Sequence, residues 1–277
     1  MVQANTLDLA QFQFDFDLTF AAFFMNPDGT LYGRFGSRSD RKDAMKDMSM
    51  EGFRKALAAA LEMHRGFPAN KASLAGKRGP APRFKVPIEY PFLQGKYAEK
   101  LDYEGKVVQS CVHCHQVRDA EFRLYRSDQK SIPDEVLYAW PIPGVVGLEL
   151  NPQEKSTVAR VAGGSAAEKA GFRAGDEILT LQSQPMLSIA DVQWVLHNAP
   201  AQGTLKAEVL RAGQKTVLNL ALAEGWKKKA DISWRATSWD LRRMAAGGLL
   251  FARTAGGRSP KIESHGQTTG TDRRARR

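Results

Sequence analysis

The chain has 277 residues, 43% hydrophobic and 25% charged, with two cysteines and a formal net charge of +10; this is a globular composition with room for one large domain or two small ones. Residues 226–277 hold 13 Lys or Arg against 4 Asp or Glu, a net of +9, which leaves +1 for the rest. The charge therefore describes a tail, and no recognisable nucleic-acid module accompanies it, so no specific nucleic-acid partner is expected.

In chain order, residues 1–38 read as β structure. The run LTFAAFFM is followed by Asn26-Pro27-Asp28-Gly29 and a second strand from Thr30 to Phe35, and Asp-Gly between two strand-like runs signals a hairpin. Residues 49–65 read as a helix capped by Asp47 or Ser49 and ended by Gly66 and Pro68, with Phe53, Leu57, Ala60, Leu61 and His64 on one face and Ala56 beside them. Residues 66–106 are rich in Pro, Gly and Lys and read as a linker or an extended wrap. A short polar helix is expected over 116–130. Short strands are expected at 145–150, 157–161, 176–182, 204–210 and 215–222, with helices at 165–170 and 188–198, which together make a small, partly open β-barrel with two helices. From Ala252 onward almost no large apolar residue remains, and disorder is expected.

Both cysteines fall in QSCVHCHQV, residues 109–117. Cys111-Val112-His113-Cys114-His115 is the C-x-x-C-H pattern of covalent haem attachment. On a helical turn, Cys111 and Cys114 can form thioethers with the two haem vinyl groups while His115 presents its imidazole to the iron. The sixth position could be filled by His64, favoured here, by Met63, His113 or Met186, or stay open. Three alternatives remain. Zinc normally needs four ligands, and His113 or His115 would have to join the cysteines in one tight loop. A dithiol would use Cys111 as nucleophile and Cys114 as resolving thiol. The motif could also be inert. Covalent haem attachment is extracytoplasmic chemistry, yet MVQANTLDLAQFQFD lacks the basic and apolar regions of a signal peptide. No apolar run approaches the roughly 20 residues that span a bilayer.

The stretch GVVGLEL, then GSAAEKAGFRAGDEIL and VLRAGQKTVLNLAL, resembles a bacterial PDZ domain of the periplasmic-protease type. It agrees at Gly164, Ser165, Ala167, Ala170, Gly171, Gly175 and Asp176, with Ala166 where the family has proline and Ala212 where an acidic residue is common. The resemblance implies β-augmentation: a free strand edge beside a helix accepts an extended peptide, and amides of a tight loop hold its terminal carboxylate. The loop implied is Val145, Val146, Gly147 and Leu148. The groove helix implied is Ser188 to His197, with Ser188, Ile189, Val192 and Val195 as candidate lining or core residues. A PDZ fold can equally pack on a neighbouring domain and bind no peptide.

A wider resemblance runs over residues 8–251. FQFDFDLTFAAFFMNPDGTLYGRFGSR, LEMHRGFP, QSCVHCHQV, the PDZ segment and GWKKKADISWRATSW are similar to bacterial proteins that join a thioredoxin-like region to PDZ domains, some of them selenoproteins. That implies a partial thioredoxin-like α/β segment over 1–66. The family's redox pair and cis-proline have no counterpart here, and no second PDZ-like unit follows, so a truncated reading of a longer gene is expected.

The reading is thus α+β: a partial thioredoxin-like segment (1–66), a linker with the CxxCH motif (67–140), a PDZ domain (141–225), a packed extension (226–251) and a basic tail (252–277). The function expected is extracytoplasmic and redox-linked, with peptides or protein C-termini bound by the PDZ domain, haem c on Cys111, Cys114 and His115, and a redox partner protein. The alternatives are a non-enzymatic PDZ scaffold with a structural or metal-binding CxxC, His115 being the candidate metal ligand, and a thiol–disulfide oxidoreductase. No Ser-His-Asp motif argues for a protease.

Overall fold

The computed structural model describes residues 3–40 and 46–245; the expected disordered tail lies outside them. Strand β1 (Ala22–Met25) pairs antiparallel with β2 (Leu31–Phe35), Phe24 opposite Gly33. The turn forms as its residues dictate: the Thr30 N–H donates to Asn26 Oδ1 at 2.9 Å and Asp28 Oδ1 at 2.8 Å, side chains standing in for backbone acceptors. Helix α1 (Met50–Arg65) starts at Ser49, whose Oγ accepts from the Gly52 N–H at 2.9 Å.

The helix buries part of the expected face, Ala60 with Ala56 beside it and Phe53 packed against them, but not its leucines. Gly52, Ala56 and Ala60 are buried, while Leu57 and Leu61 are 52% and 50% exposed. Close approach explains the difference: a Cβ on Gly52 would lie 2.2 Å from the Pro152 carbonyl oxygen. Small residues let α1 lie against that loop. The sheet of this region has two strands and joins no other strand among the described residues, so the fold does not carry the thioredoxin-like expectation.

The Pro/Gly-rich segment wraps the molecule. It holds α2 (Lys71–Leu74), and α3 (Cys114–Ser127) and α4 (Asp134–Leu137) follow it. Leu9, Tyr90, Leu93, Val112, Val117 and Ala120 form a core of their own beneath the cysteine motif. Helix α3 starts two residues earlier than its polar pattern indicates, because the Gln116 side chain accepts from the His113 N–H at 2.8 Å and fixes the first turn there.

The remaining elements are β3 (Leu148–Leu150), β4 (Val158–Val161), α5 (Ala166–Lys169), β5 (Glu177–Leu181), β6 (Gln184–Pro185), α6 (Ile189–Asn198), β7 (Gly203–Arg211) and β8 (Gln214–Leu222). The strands close no barrel among the described residues, in line with the partly open one expected. β3 and β4 pair as a two-stranded sheet, and β6-β5-β7-β8 form a second sheet of four. A single bridge, Thr157 to Glu177, links them. Residues 145–147, expected as strand, are instead in a 3-10 turn, Pro143–Val146, ended by Gly147: Pro143 fixes φ for a turn, and Gly147 breaks it. Inward residues Leu205, Ala207 and Val209 of β7 meet Leu218, Leu220, Ile178, Val192 and Leu196 in the main core, as the period of two requires. Beyond β8, Trp226, Trp234 and Arg235 are buried, and α7 (Ser238–Ala245) follows. No helix among the described residues is long and apolar enough to cross a membrane.

Candidate functional site

The turn before β3 is built to present backbone. Gly147 has φ +92°, its N–H donates to the Gly144 carbonyl at 3.0 Å, and its carbonyl accepts from the Ala162 N–H at 2.9 Å. A Cβ there would come within 2.2 Å of the Ser165 side chain, so both conformation and space demand glycine. Ser165 is itself committed, capping α5 by accepting from the Glu168 N–H at 3.1 Å. Beyond the turn, β3 pairs with β4, and its second edge meets no strand among the described residues.

Val145, Val146 and Gly147 line a cleft of about 800 Å³. Its other walls are Ala166 and Lys169 of α5 with Ala170 after it, the start of β7, the end of β8, and Trp226 with Lys229. Leu148, Ser188 and Val192 do not line it. Leu148 and Val192 sit in the main core. Ser188 caps α6, accepting from the Ala190 N–H at 3.0 Å, and donates its hydroxyl proton to the Arg34 carbonyl. Ile189 and Val195 are buried with Val192.

Residues N-terminal to the PDZ segment cover α6. The Arg34 N–H donates to Asp191 Oδ1 at 3.2 Å, Lys77 Nζ lies 2.9 Å from the same oxygen, and the Trp194 Nε1–H donates to the Gly76 carbonyl at 2.7 Å. The Arg34 guanidinium stacks 3.8 Å from the Trp194 ring centre. Lys77 and Asp191 are fully buried, and burial, partly offset by Asp191, lowers the Lys77 ammonium below its ordinary pKa. At the N-terminal end of α6, Ser49 Oγ donates to the Pro152 carbonyl at 2.7 Å. Between Phe35–Ser37 and Asp47 on one side and Pro152, Glu154 and Ser188–Ala190 on the other, only about 10 Å³ remains.

A second lock holds the segment after the PDZ domain. Arg235 is buried against Asp15 Oδ1 at 2.5 Å and Asp17 Oδ2 at 3.2 Å, and Arg118 Nε lies 3.4 Å from Asp17. Arg235 also donates to the Ala139 carbonyl at 2.9 Å. Next to it, Trp140 stacks on His197 with ring centres 4.7 Å apart, and the Trp140 N–H donates to His197 Nδ1 at 3.4 Å. Burial, with Lys227 nearby, lowers the His197 pKa from 6.5 to about 3. Apart from His197, the last residue of the implied groove helix, none of these partners was among the candidate residues. The alternation Phe14-Asp15-Phe16-Asp17 was a legible signal, since acids set between aromatics on a strand-like stretch have to find buried cations.

The cysteine motif stands apart from the cleft. Cys111 and Cys114 are free and half-buried. Val112 between them is buried, and its N–H donates to Asn5 Oδ1 at 2.7 Å. His113 and His115 are exposed, with ring centres 5.9 Å apart. Burial and the neighbouring Cys111 raise the Cys114 pKa, which disfavours thiolate chemistry. No group of three or more metal-ligating side chains gathers among the described residues. Of the proposed sixth ligands, His64 Nδ1 is bonded to the Tyr32 hydroxyl at 2.8 Å, Met186 is in the PDZ core, and Met63 packs with the α1 cluster. These belong to other clusters; His113 stays within the motif.

Residues 144–222, with their two antiparallel sheets, two helices and glycine-ended turn, match the family model described as PDZ domain. Within the curated proteins, the chain is similar to the periplasmic serine endoprotease DegP of Escherichia coli K12, 31% identical over 100 residues that make up 32% of this chain and 21% of the relative. The DegP of Salmonella typhimurium is 30% identical over the same shares. The chain thus spans about a fifth of the length of these relatives.

Proposed function

We propose that the protein is a non-enzymatic, extracytoplasmic adaptor whose PDZ domain binds the free C-terminus of a partner protein. The Gly147 turn supports this reading, since it presents backbone beside an edge of β3 that pairs with no further strand among the described residues, as a carboxylate-binding loop would require. The setting draws support from relatives named as periplasmic. The test is selection from a library displaying free peptide C-termini, with Gly147→Val as control. Selected peptides should bind the native protein and lose about tenfold or more with Gly147→Val, while circular dichroism confirms that the variant is folded. Equal binding by the variant removes the loop from the site.

A second reading concerns the motif, and it rests on Cys111 and Cys114 being free and His115 exposed. Haem c held by these three residues would supply electron transfer to a redox partner. Export with a haem-maturation system should give a pyridine haemochrome spectrum. A colourless protein with both thiols titratable defeats it.

A further inference from the structure

We propose that α1 packs antiparallel against α1 of a second copy of this chain, making the protein a symmetric homodimer. The outer side of a surface helix is normally polar, and that of α1 is not. Met50 is 76% exposed, and Leu57 and Leu61 are half exposed. They recur at i, i+7 and i+11 and so form one stripe along the helix. Phe20, also half exposed, widens the patch through an edge-to-face contact with Phe53 at 6.1 Å. The inner side of α1 is tied to the loop after β3: Ser49 bonds to the Pro152 carbonyl at 2.7 Å, and Lys55 Nζ reaches Glu154 at 2.5 Å. The stripe is thus held facing outward.

The charges beside the stripe point to the occupant. By the 3.6-residue repeat, Glu51, Arg54, Ala58, Glu62 and Arg65 run along one flank of it. Glu51 pairs with Arg54 at 2.6 Å, and Glu62 pairs with Arg65. Acid, base, acid, base is a sequence whose sign reverses when it is read from the other end. In an antiparallel pair about a two-fold axis, the same flank of each helix meets its copy. With the axis near Ala58, Glu51 faces Arg65 of the second copy and Arg54 faces its Glu62, so every charge on the flank meets its opposite. Ala58, small and exposed, sits at the centre, where the helices come closest. A parallel pair would instead set the charged flank against the Phe53 and His64 side. The flank carries two acids and two bases, so it offers no net attraction to an anionic lipid surface.

The experiment is sedimentation velocity of the full chain from about 1 to 300 µM, with circular dichroism on every variant to confirm the fold. One helix pair is a small interface, so the native chain should dimerise with a dissociation constant on the order of 10–100 µM. Leu57→Glu and Leu61→Glu should each weaken the dimer about tenfold or more, since each change places two carboxylates in the apolar seam. Exchanging the first ion pair, E51R with R54E, keeps the pairing within each helix but sets like charges against each other between copies. It should weaken dimerisation about tenfold, and exchanging the second pair, E62R with R65E, should do the same. A mixture of these two exchanged chains should regain the native affinity, because each flank then meets its complement. A native chain that stays monomeric at the highest concentration overturns the proposal. So does a dimer that the leucine changes leave intact, or a mixture that associates no more tightly than its components.

Discussion

His197 shows how one residue's surroundings set a property of the whole chain. It is neutral because it is buried beside Lys227, and its Nδ1 must stay unprotonated to accept from Trp140. The unfolded chain protonates this side chain below its ordinary 6.5, whereas the folded one resists down to about 3. The unfolded state therefore binds more protons in that window, and stability is complete above pH 6.5 and falls as the pH drops towards 3. At pH 4.5 the loss from this group is on the order of 2–3 kcal/mol. Urea denaturation from pH 7.5 to 4.5 should show it, and His197→Gln should flatten that part of the profile; an unchanged slope in the variant would assign the dependence elsewhere. Gly147 is the second such residue. Replacement by Ala puts a Cβ within 2.2 Å of Ser165 at φ +92°, and should cost roughly 1–3 kcal/mol in thermal or urea melts.

At the scale of elements, α1 and α6 are placed by contacts that their own periodicity does not announce. The Gly52–Ala56–Ala60 face of α1 is buried because small residues permit close approach, while the leucines that a hydrophobic count favours stay exposed. The limits of the α1 helix, the hairpin turn and the PDZ glycines were readable, because caps, Asp-Gly turns and left-handed glycines are local chemistry. The cover on α6 was not, because it depends on pairs such as Lys77 with Asp191 that are distant in the chain. A lysine in a Pro/Gly-rich stretch reads as solvated until its carboxylate is known. The loop residues of the candidate site were legible for the same local reason, and its lysines were not, since Lys169 and Lys229 meet only across the fold. Gly33 tests the placement: a Cβ there would lie 2.7 Å from Asp191 Oδ2 and 2.9 Å from Leu187. Gly33→Ala should lower stability by about 1–3 kcal/mol, seen in urea melts. A neutral result would mean that β2 does not lie on α6.

For the whole molecule, the PDZ domain is clasped from both flanks by its own chain. Asp15 and Asp17 hold Arg235, so the first and last described segments close on each other across Arg118 and Trp140. The arrangement leaves one face of the PDZ domain, at the Gly147 turn, open to a partner. Such buried charges specify the docked arrangement more than they stabilise it, yet removing one partner is costly, since the other is left charged in the interior. The most direct test of this clasp is a double-mutant cycle on Lys77 and Asp191, with Lys77→Met, Asp191→Asn and the pair, each measured by urea denaturation. Each single change should cost about 3–5 kcal/mol, and the pair should cost less than their sum by about 1–3 kcal/mol. Additive losses, with no coupling between two residues so far apart in the chain, would contradict the clasp.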